Sequence, residues 1–222
     1  MLKIYEEKRN IIKEDILAIG NSVVDALEIS LKALKEDNLT LFKDIDLSTK
    51  KLSNKSNEID NLIVTTLALY SPEARDLREM VSYLKITNEL VRAGSNIKSF
   101  VKIFKNAYSE DLNTSTILEF AIPLQKSALL ALKTTISMID DTNKNQIEEK
   151  FHKVIVEESK ADDLYSMVEK NILKLISKNL ELSKEYFDIL SSLRKLEKTA
   201  DRATSVANLL LFAHIGGEIE QS

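Results

Sequence analysis

Four carboxylates in the C-terminal half are spaced as a cation site would need. Glu158 and Asp162 stand four residues apart, and so do Glu197 and Asp201. On a helix, residues at that interval project from one side. Two such pairs on neighbouring helices would bring four acids to one spot. Carboxylates that close repel, and each shifts the other's pKa unless a cation lies among them. A hard metal ion is the natural occupant. Iron, manganese, zinc and magnesium are all compatible with a ligand set made only of oxygens. The chain has no Cys, which excludes thiolate ligands and disulfides alike.

The elements that must carry these acids are helices. The chain has 222 residues, with only four Gly and two Pro, and Leu, Ile, Lys, Glu and Ala dominate it. That composition predicts an all-α fold. The net charge of −4 lacks the basic footprint of a nucleic-acid binder. No apolar run approaches the ~18 residues of a membrane span. Met1 to Glu7 is too acidic and polar for a secretory signal. The expectation is a soluble, cytoplasmic protein that meets a membrane only through a partner.

Periodicity predicts six helices. The first runs from about residue 2 to 37, with Ile12, Ile16, Ile19, Val23, Ala26, Leu27, Leu31 and Leu34 at helical spacing. Asn38 is the expected cap of a second, with a seam of Ile45, Leu52, Ile59, Leu62, Thr66 and Leu69. Ser71-Pro72 reads as cap and first residue of a third, continuing through Leu77, Val81, Leu84, Val91 and Phe104. Thr116 with Glu119 reads as a capping box for the fourth, which contains Pro123, and Asn143 with Gln146 as one for the fifth. The fifth reaches about Ser177. The sixth runs from about Ser183 to His214, where Gly216-Gly217 ends it.

The halves look related. Ile59-Asp60-Asn61-Leu62 matches Ala161-Asp162-Asp163-Leu164 at an offset of 102 (Asp60 to Asp162). Leu84, Leu90 and Gly94 match Leu190, Leu196 and Ala200 at 106 (Gly94 to Ala200). Leu31 and Leu34 match Ile136 and Ile139 at 105 (Leu31 to Ile136). Such offsets mark an internal duplication. The expected architecture is two tandem, internally duplicated antiparallel three-helix bundles, side by side. The first spans 1–108 and the second 116–215, with a linker at 109–115 and a tail at 216–222.

Within the fifth helix the seam reads Ile147, Phe151, Val154, Glu158, Ala161, Tyr165, Val168, Ile172 and Leu175. Glu158 stands where an apolar residue belongs, and an unpaired buried carboxylate costs several kcal/mol. In the first half the four acid positions are Ser56, Asp60, Val91 and Ser95. An apolar Val at the Glu197 position implies that this position looks inward. Only Asp60 remains acidic, so no metal is expected there. The bland alternative is a solvated acidic face paired with Lys160 and Lys198.

Three stretches resemble the PhoU family of phosphate-uptake regulators. Ser71-Pro72-Glu73-Ala74-Arg75-Asp76-Leu77-Arg78 is similar to the family's Pro-x-Ala-x-Asp-Leu-Arg. Leu196-Glu197-Lys198-Thr199-Ala200-Asp201-Arg202-Ala203 resembles its Leu-Glu-Arg-Ile-Ala-Asp-His-Ala. Glu158 to Tyr165 resembles its acidic stretch. The resemblance implies metal ligands at Glu158, Asp162, Glu197 and Asp201. It also implies a non-enzymatic role in phosphate homeostasis, restraining a phosphate-sensing histidine kinase (PhoR-like) and a phosphate ABC transporter ATPase (PstB-like). The chain departs from the family's Leu-Glu-Arg-Ile-Gly-Asp at Leu90-Val91-Arg92-Ala93-Gly94-Ser95.

Two other readings compete. One is a metal-free helical adaptor whose acids only solubilise it. The other is a ferritin-like di-iron oxidoreductase, which needs two Glu-x-x-His motifs. Glu149-Lys150-Phe151-His152 supplies one. Arg75, Arg78, Arg194 and Arg202 are candidate partner-binding residues for an acidic surface, against the plainer reading of a salt-bridged, solvated face. Spare apolar faces on elongated bundles make a homodimer the expected assembly.

Overall fold

The structure, a computed structural model, describes residues 2–45 and 49–216. The segment 217–222, most of the expected tail, lies outside them. Six α-helices account for the fold: α1 (Leu2–Lys35), α2 (Thr49–Tyr70), α3 (Ala74–Ala107), α4 (Thr114–Met138), α5 (Lys144–Lys178) and α6 (Ser183–Ile215). Short 3-10 turns lie at Leu39–Asp44 and Leu180–Leu182. The first three helices pack on one another, as do the last three. The most extensive contact in the molecule joins the two sets, α3 lying along α6, and α1 packs on α4. The outer helices, α2 and α5, pack mainly within their own bundle. One continuous apolar core therefore runs through both bundles.

The inter-bundle seam is close and partly polar. A Cβ at Gly20 on α1 would collide with Ile136 of α4. Gln125 of α4 donates to the Leu27 carbonyl of α1 at 3.1 Å and to Ser30 Oγ. Arg202 on α6 reaches Glu89 on α3 at 2.9 Å. No helix of the described residues is long and apolar enough to cross a membrane.

Several element boundaries differ from the sequence expectation. Asn38 caps the 3-10 turn, accepting from Thr40 N at 3.1 Å and Thr40 Oγ1 at 2.6 Å, and α2 begins only at Thr49. A short Asn side chain competes well for local amides, and Phe42 pins the turn against Phe100 and Phe104. Ile45 lies before α2, and of the expected seam Leu52, Ile59 and Thr66 are buried and Leu62 is half-buried. The buried positions of that helix are Leu52, Ser56, Ile59, Ile63 and Thr66, while Leu69 is 66% exposed.

Helix α3 starts at Ala74, capped by Glu73 without a side-chain bond. Pro72 disfavours right-handed helix at the residue before it, and Ser71 sits at φ 45°. Helix α3 meets α1, α2 and α6, so its buried arc is wide. It centres on Met80, Tyr83, Ile86, Leu90, Ile97, Phe100 and Phe104. Leu77 is exposed, and Val81, Leu84 and Val91 are half-buried on the flank. Helix α4 is capped by Asn113, which accepts from Thr116 N at 3.1 Å, and Pro123 lies inside it. Asn143 caps α5 by accepting from Asn145 N. Helix α6 closes at Gly216, where φ is 83°, a backbone state that side chains with a Cβ avoid.

Candidate metal centre

Helices α5 and α6 lie side by side because each carries an apolar stripe. On α5 the buried positions are Ile147, Val154, Ala161, Tyr165, Val168 and Ile172. On α6, Leu193, Leu196, Ala200, Ala203, Ala207 and Leu210 are buried. The four acids ride the edges of these stripes. Glu158 and Asp201 are half-buried, Asp162 is exposed, and Glu197 is only 5% exposed.

The structure brings three of the four together. One oxygen each of Glu158, Asp162 and Asp201 lies within 4.8 Å of the others. Oxygens on opposite sides of a small dication sit about 4.2 Å apart, and around a larger one up to about 5.2 Å. The trio is therefore spaced for a shared ion, with a small ion drawing the side chains inward. Glu197 is not in the trio. Its Oε1 lies 3.4 Å from Lys198 Nζ and its Oε2 3.2 Å from Arg194 Nε. It lines the same cleft of about 200 Å³, together with the trio, Lys198, Arg202 and Thr204.

The electrostatics match an anionic site. Burial raises the Glu158 pKa above the ordinary carboxylate value, and the charges of Asp162 and Asp201 push it further, with Lys198 opposing. Burial also raises Glu197, then the charge of Asp201, against Lys198 and Arg194. The hydrogen bond to Asp201 holds Lys198 above the ordinary lysine range.

Two buried oxygens in this cleft make no hydrogen bond. They are Glu197 Oε2, whose approach to Arg194 lacks hydrogen-bond geometry, and Thr204 Oγ1. Unsatisfied buried oxygens facing a polar cleft call for an explanation, and a hard cation would supply it. The residues present fit an oxygen-ligated metal. Thr204 was missed in the sequence. The signal was its place three residues after Asp201 and seven after Glu197, on one face of α6.

The basic residues are committed inside the chain. Lys160 pairs with Glu157 at 2.5 Å instead of with the acids of the cleft. Arg194 lies over the Tyr165 ring, 4.8 Å from its centroid. Arg202 holds Glu89. Arg75 Nη2 donates to His214 Nδ1 at 3.1 Å. Arg78 lies beside Gly216 with its Nε buried and unbonded. These four arginines do not form one patch through any contact with each other: Arg75 and Arg78 sit by the C-terminal end of α6, Arg202 lines the cleft, and Arg194 reaches its Glu197 from outside. Glu149 pairs with Lys153 at 2.7 Å, and His152 is exposed, so the single Glu-x-x-His motif points into no bundle core.

The first half has a cleft at the duplicate position, about 280 Å³, lined by Ser53, Ser56, Asn57, Asp60, Leu84, Asn88 and Val91. Its one acid accepts a hydrogen bond from Thr87 Oγ1 at 2.8 Å.

A six-helix, duplicated bundle defines the class of fold. The PhoU domain profile matches residues 16–104 and 124–210. The chain belongs to the PhoU family. A phosphate-specific transport system accessory protein PhoU homolog from Borreliella burgdorferi is 26% identical, over 94% of each chain. One from Clostridium acetobutylicum is 21% identical, over 98% of this chain and 97% of that one. The crystal structure of PhoU from Pseudomonas aeruginosa superposes with a TM-score of 0.82 at 16% identity, covering 96% of this chain and all of that one. The phosphate transport system regulatory protein PhoU from Streptococcus pneumoniae superposes at 0.79 and 18% identity, covering 98% and 100%.

Proposed function

We propose that this chain is a non-enzymatic accessory protein of phosphate transport. It acts in the cytoplasm by restraining a phosphate transporter ATPase and a phosphate-sensing histidine kinase, and it works as a homodimer. A metal ion held by Glu158, Asp162 and Asp201, with Glu197 beside them, braces α5 against α6 and tunes the contact face. When bound, the ion supplies charge and coordination. The chain's own residues bind and orient it: the trio offers oxygens, and buried Glu197 adds charge from below. Family membership and the names of the relatives support the phosphate role. The single observation behind the metal is the convergence of three carboxylates on a cleft that also holds two unbonded buried oxygens.

The test is elemental analysis of purified wild type beside Glu158→Ala/Glu197→Ala. Bound metal in the wild type and background levels in the variant are expected. Equal content in both removes the site. For partner contact, Arg194→Glu and Arg75→Glu are the probes, with helicity checked by circular dichroism because Arg194 also pairs with Glu197 and Arg75 also meets His214. Unchanged pull-down of kinase and ATPase by both variants would reject these arginines as docking residues.

The metal-free adaptor has one observation in its favour. Lys198 and Arg194 already balance part of the acidic charge, which lessens the cleft's demand for an ion. Wild type without metal after purification under metal-replete conditions would favour that reading.

A further inference from the structure

The cleft holds a cation of its own. Lys198 follows Glu197 on α6, and its ammonium turns into the cleft, 2.6 Å from Asp201 Oδ2 and 3.4 Å from Glu197 Oε1. It thus bridges two of the four acids, one of which belongs to the converging trio. A metal ion taking Asp201 as ligand needs the charge density that Lys198 now holds, and two cations cannot share it at that range without strong repulsion.

The other cations near the cleft are also anchored elsewhere: Arg194 meets Glu197 Oε2 at 3.2 Å, but neither it nor Arg202 pairs with the trio. Arg194 stacks on Tyr165, and Arg202 holds Glu89 of α3. Both ion pairs of Lys198 lie within the acid set, on a flexible stem whose side chain is 37% exposed. It can leave for solvent at little cost.

The duplicate half is a natural control. The position equivalent to Lys198 is Arg92, at the same offset of 106. Arg92 is 58% exposed and reaches only Glu89, at 3.5 Å. Where the cleft holds a single carboxylate, already bonded to Thr87, the cation at this position pairs with Glu89 instead.

We infer that Lys198 is a resident counter-ion of the acidic cleft, an internal competitor that an incoming divalent metal must displace and that sets the concentration at which the site fills. Bound metal then frees a lysine ammonium at the cleft mouth, so occupancy changes the charge the α5–α6 face presents. This inference rests on the metal reading above and concerns how that site is regulated.

The experiment titrates metal-stripped wild type, Lys198→Met, Lys198→Gln and Lys198→Arg with Mn²⁺ by calorimetry, alongside thermal melts with and without Mn²⁺. Losing one charge-assisted pair should make Lys198→Met and Lys198→Gln bind Mn²⁺ roughly tenfold tighter. Lys198→Arg should stay near wild type. Without metal, the two neutral variants should melt below wild type, because their acids are left unbalanced, and Mn²⁺ should raise their melting point more than it raises that of wild type. Equal or weaker Mn²⁺ binding by the neutral variants overturns the role of the lysine while leaving the site in place. Glu158→Gln separates the two ideas. If it leaves Mn²⁺ affinity unchanged, or if wild type binds no Mn²⁺, the site itself falls and the inference with it.

Discussion

The two bundles are copies that have diverged at the same spot. In each, the outer helix and the last helix enclose a small cleft, of about 280 Å³ in the first and 200 Å³ in the second. Ser56, Asp60, Val91 and Ser95 stand where Glu158, Asp162, Glu197 and Asp201 stand. The surrounding residues have followed. Thr87, which satisfies Asp60, is replaced at the same offset by buried Leu193, which donates nothing from its side chain. Asn88 becomes Arg194, and Arg92 becomes Lys198. The first cleft satisfies its one acid with a neutral hydroxyl, while the second answers four acids with two cations. On the proposed metal reading, side chains rather than backbone decide which of the two clefts holds an ion.

If that is right, the difference can be moved. Ser56→Glu/Val91→Glu/Ser95→Asp places the second cleft's acids in the first, where Asp60 already waits. The expected outcome is the largest available: metal bound per chain, read by elemental analysis, rises to about twice the wild-type value. A folded triple variant, helical by circular dichroism, with metal content unchanged would break the comparison. It would mean that the clefts differ in more than their side chains.

The converse exchange concerns stability. Glu197→Val gives the second cleft the residue found in the first. Glu197 is 5% exposed with one oxygen unbonded, so removing it relieves a buried charge. The cost is two ion pairs to partly exposed cations, each worth at most about 1 kcal/mol. Relief of an unsatisfied buried carboxylate is worth more, so a net gain of about 1–2 kcal/mol is expected for the metal-free protein. Urea denaturation measures it. A loss of stability would show that Arg194 and Lys198 already compensate Glu197 in full.

A smaller effect tests the first cleft. Thr87→Val keeps the shape and removes the donor to Asp60 Oδ1. The bond is partly buried and its acceptor is charged, so a loss of about 1 kcal/mol is expected in the same denaturation assay. The matching exchange in the second half, Leu193→Thr, offers no bond in return unless Asp162 swings inward.

How much of this was legible in the sequence depended on how many neighbours an element has. Helix α5 lies on the outside of its bundle, and its single stripe was read residue by residue, including Glu158 at its edge. Helix α3 lies at the centre and is buried on several sides, so one 3.6-residue stripe does not describe it: of the apolar residues that trace it in the sequence, Phe104 is buried and Leu77 is exposed. The duplication was readable because an offset survives even when residue types change. It also supplied the inward-facing position of Glu197, through Val91. What pattern could not supply was partner choice among side chains. Lys160 and Lys198 are equally near the acids in sequence, but Lys160 turns to Glu157 and Lys198 to Asp201. Likewise the arginines at 75, 78, 194 and 202 look like one basic set in the sequence, yet Arg75, Arg194 and Arg202 each meet a different neighbour and Arg78 lies beside Gly216.

The comparison extends to the ends of the last helices. Tyr108, at the close of α3, and His214, near the close of α6, are related by the same offset of 106. The Tyr108 hydroxyl donates to Asp37 Oδ1 at 2.8 Å, and its ring stacks on Phe104 with centroids 5.0 Å apart. Burial, followed by that bond to Asp37, raises its phenol far above the neutral range, so this end keeps one charge state throughout. His214 is different. Its Nδ1 accepts from Arg75, which always carries its protons, so the imidazole must be neutral to keep the bond. Burial lowers its pKa below 6.5, as do Arg75 and Lys13, while Glu79 and Asp141 oppose. The unfolded chain therefore takes up the proton more readily than the folded one. The contribution of His214 to stability is present above pH 6.5 and is lost as the pH falls through that value toward the lower folded pKa. The melting temperature of wild type should fall more steeply between pH 7.5 and 5.5 than that of His214→Gln, and Tyr108→Phe should leave the slope as it is. Imidazole resonances followed by NMR give the direct reading. A His214 midpoint at or above 6.5 would make the two ends alike in their response to pH and remove this part of the contrast.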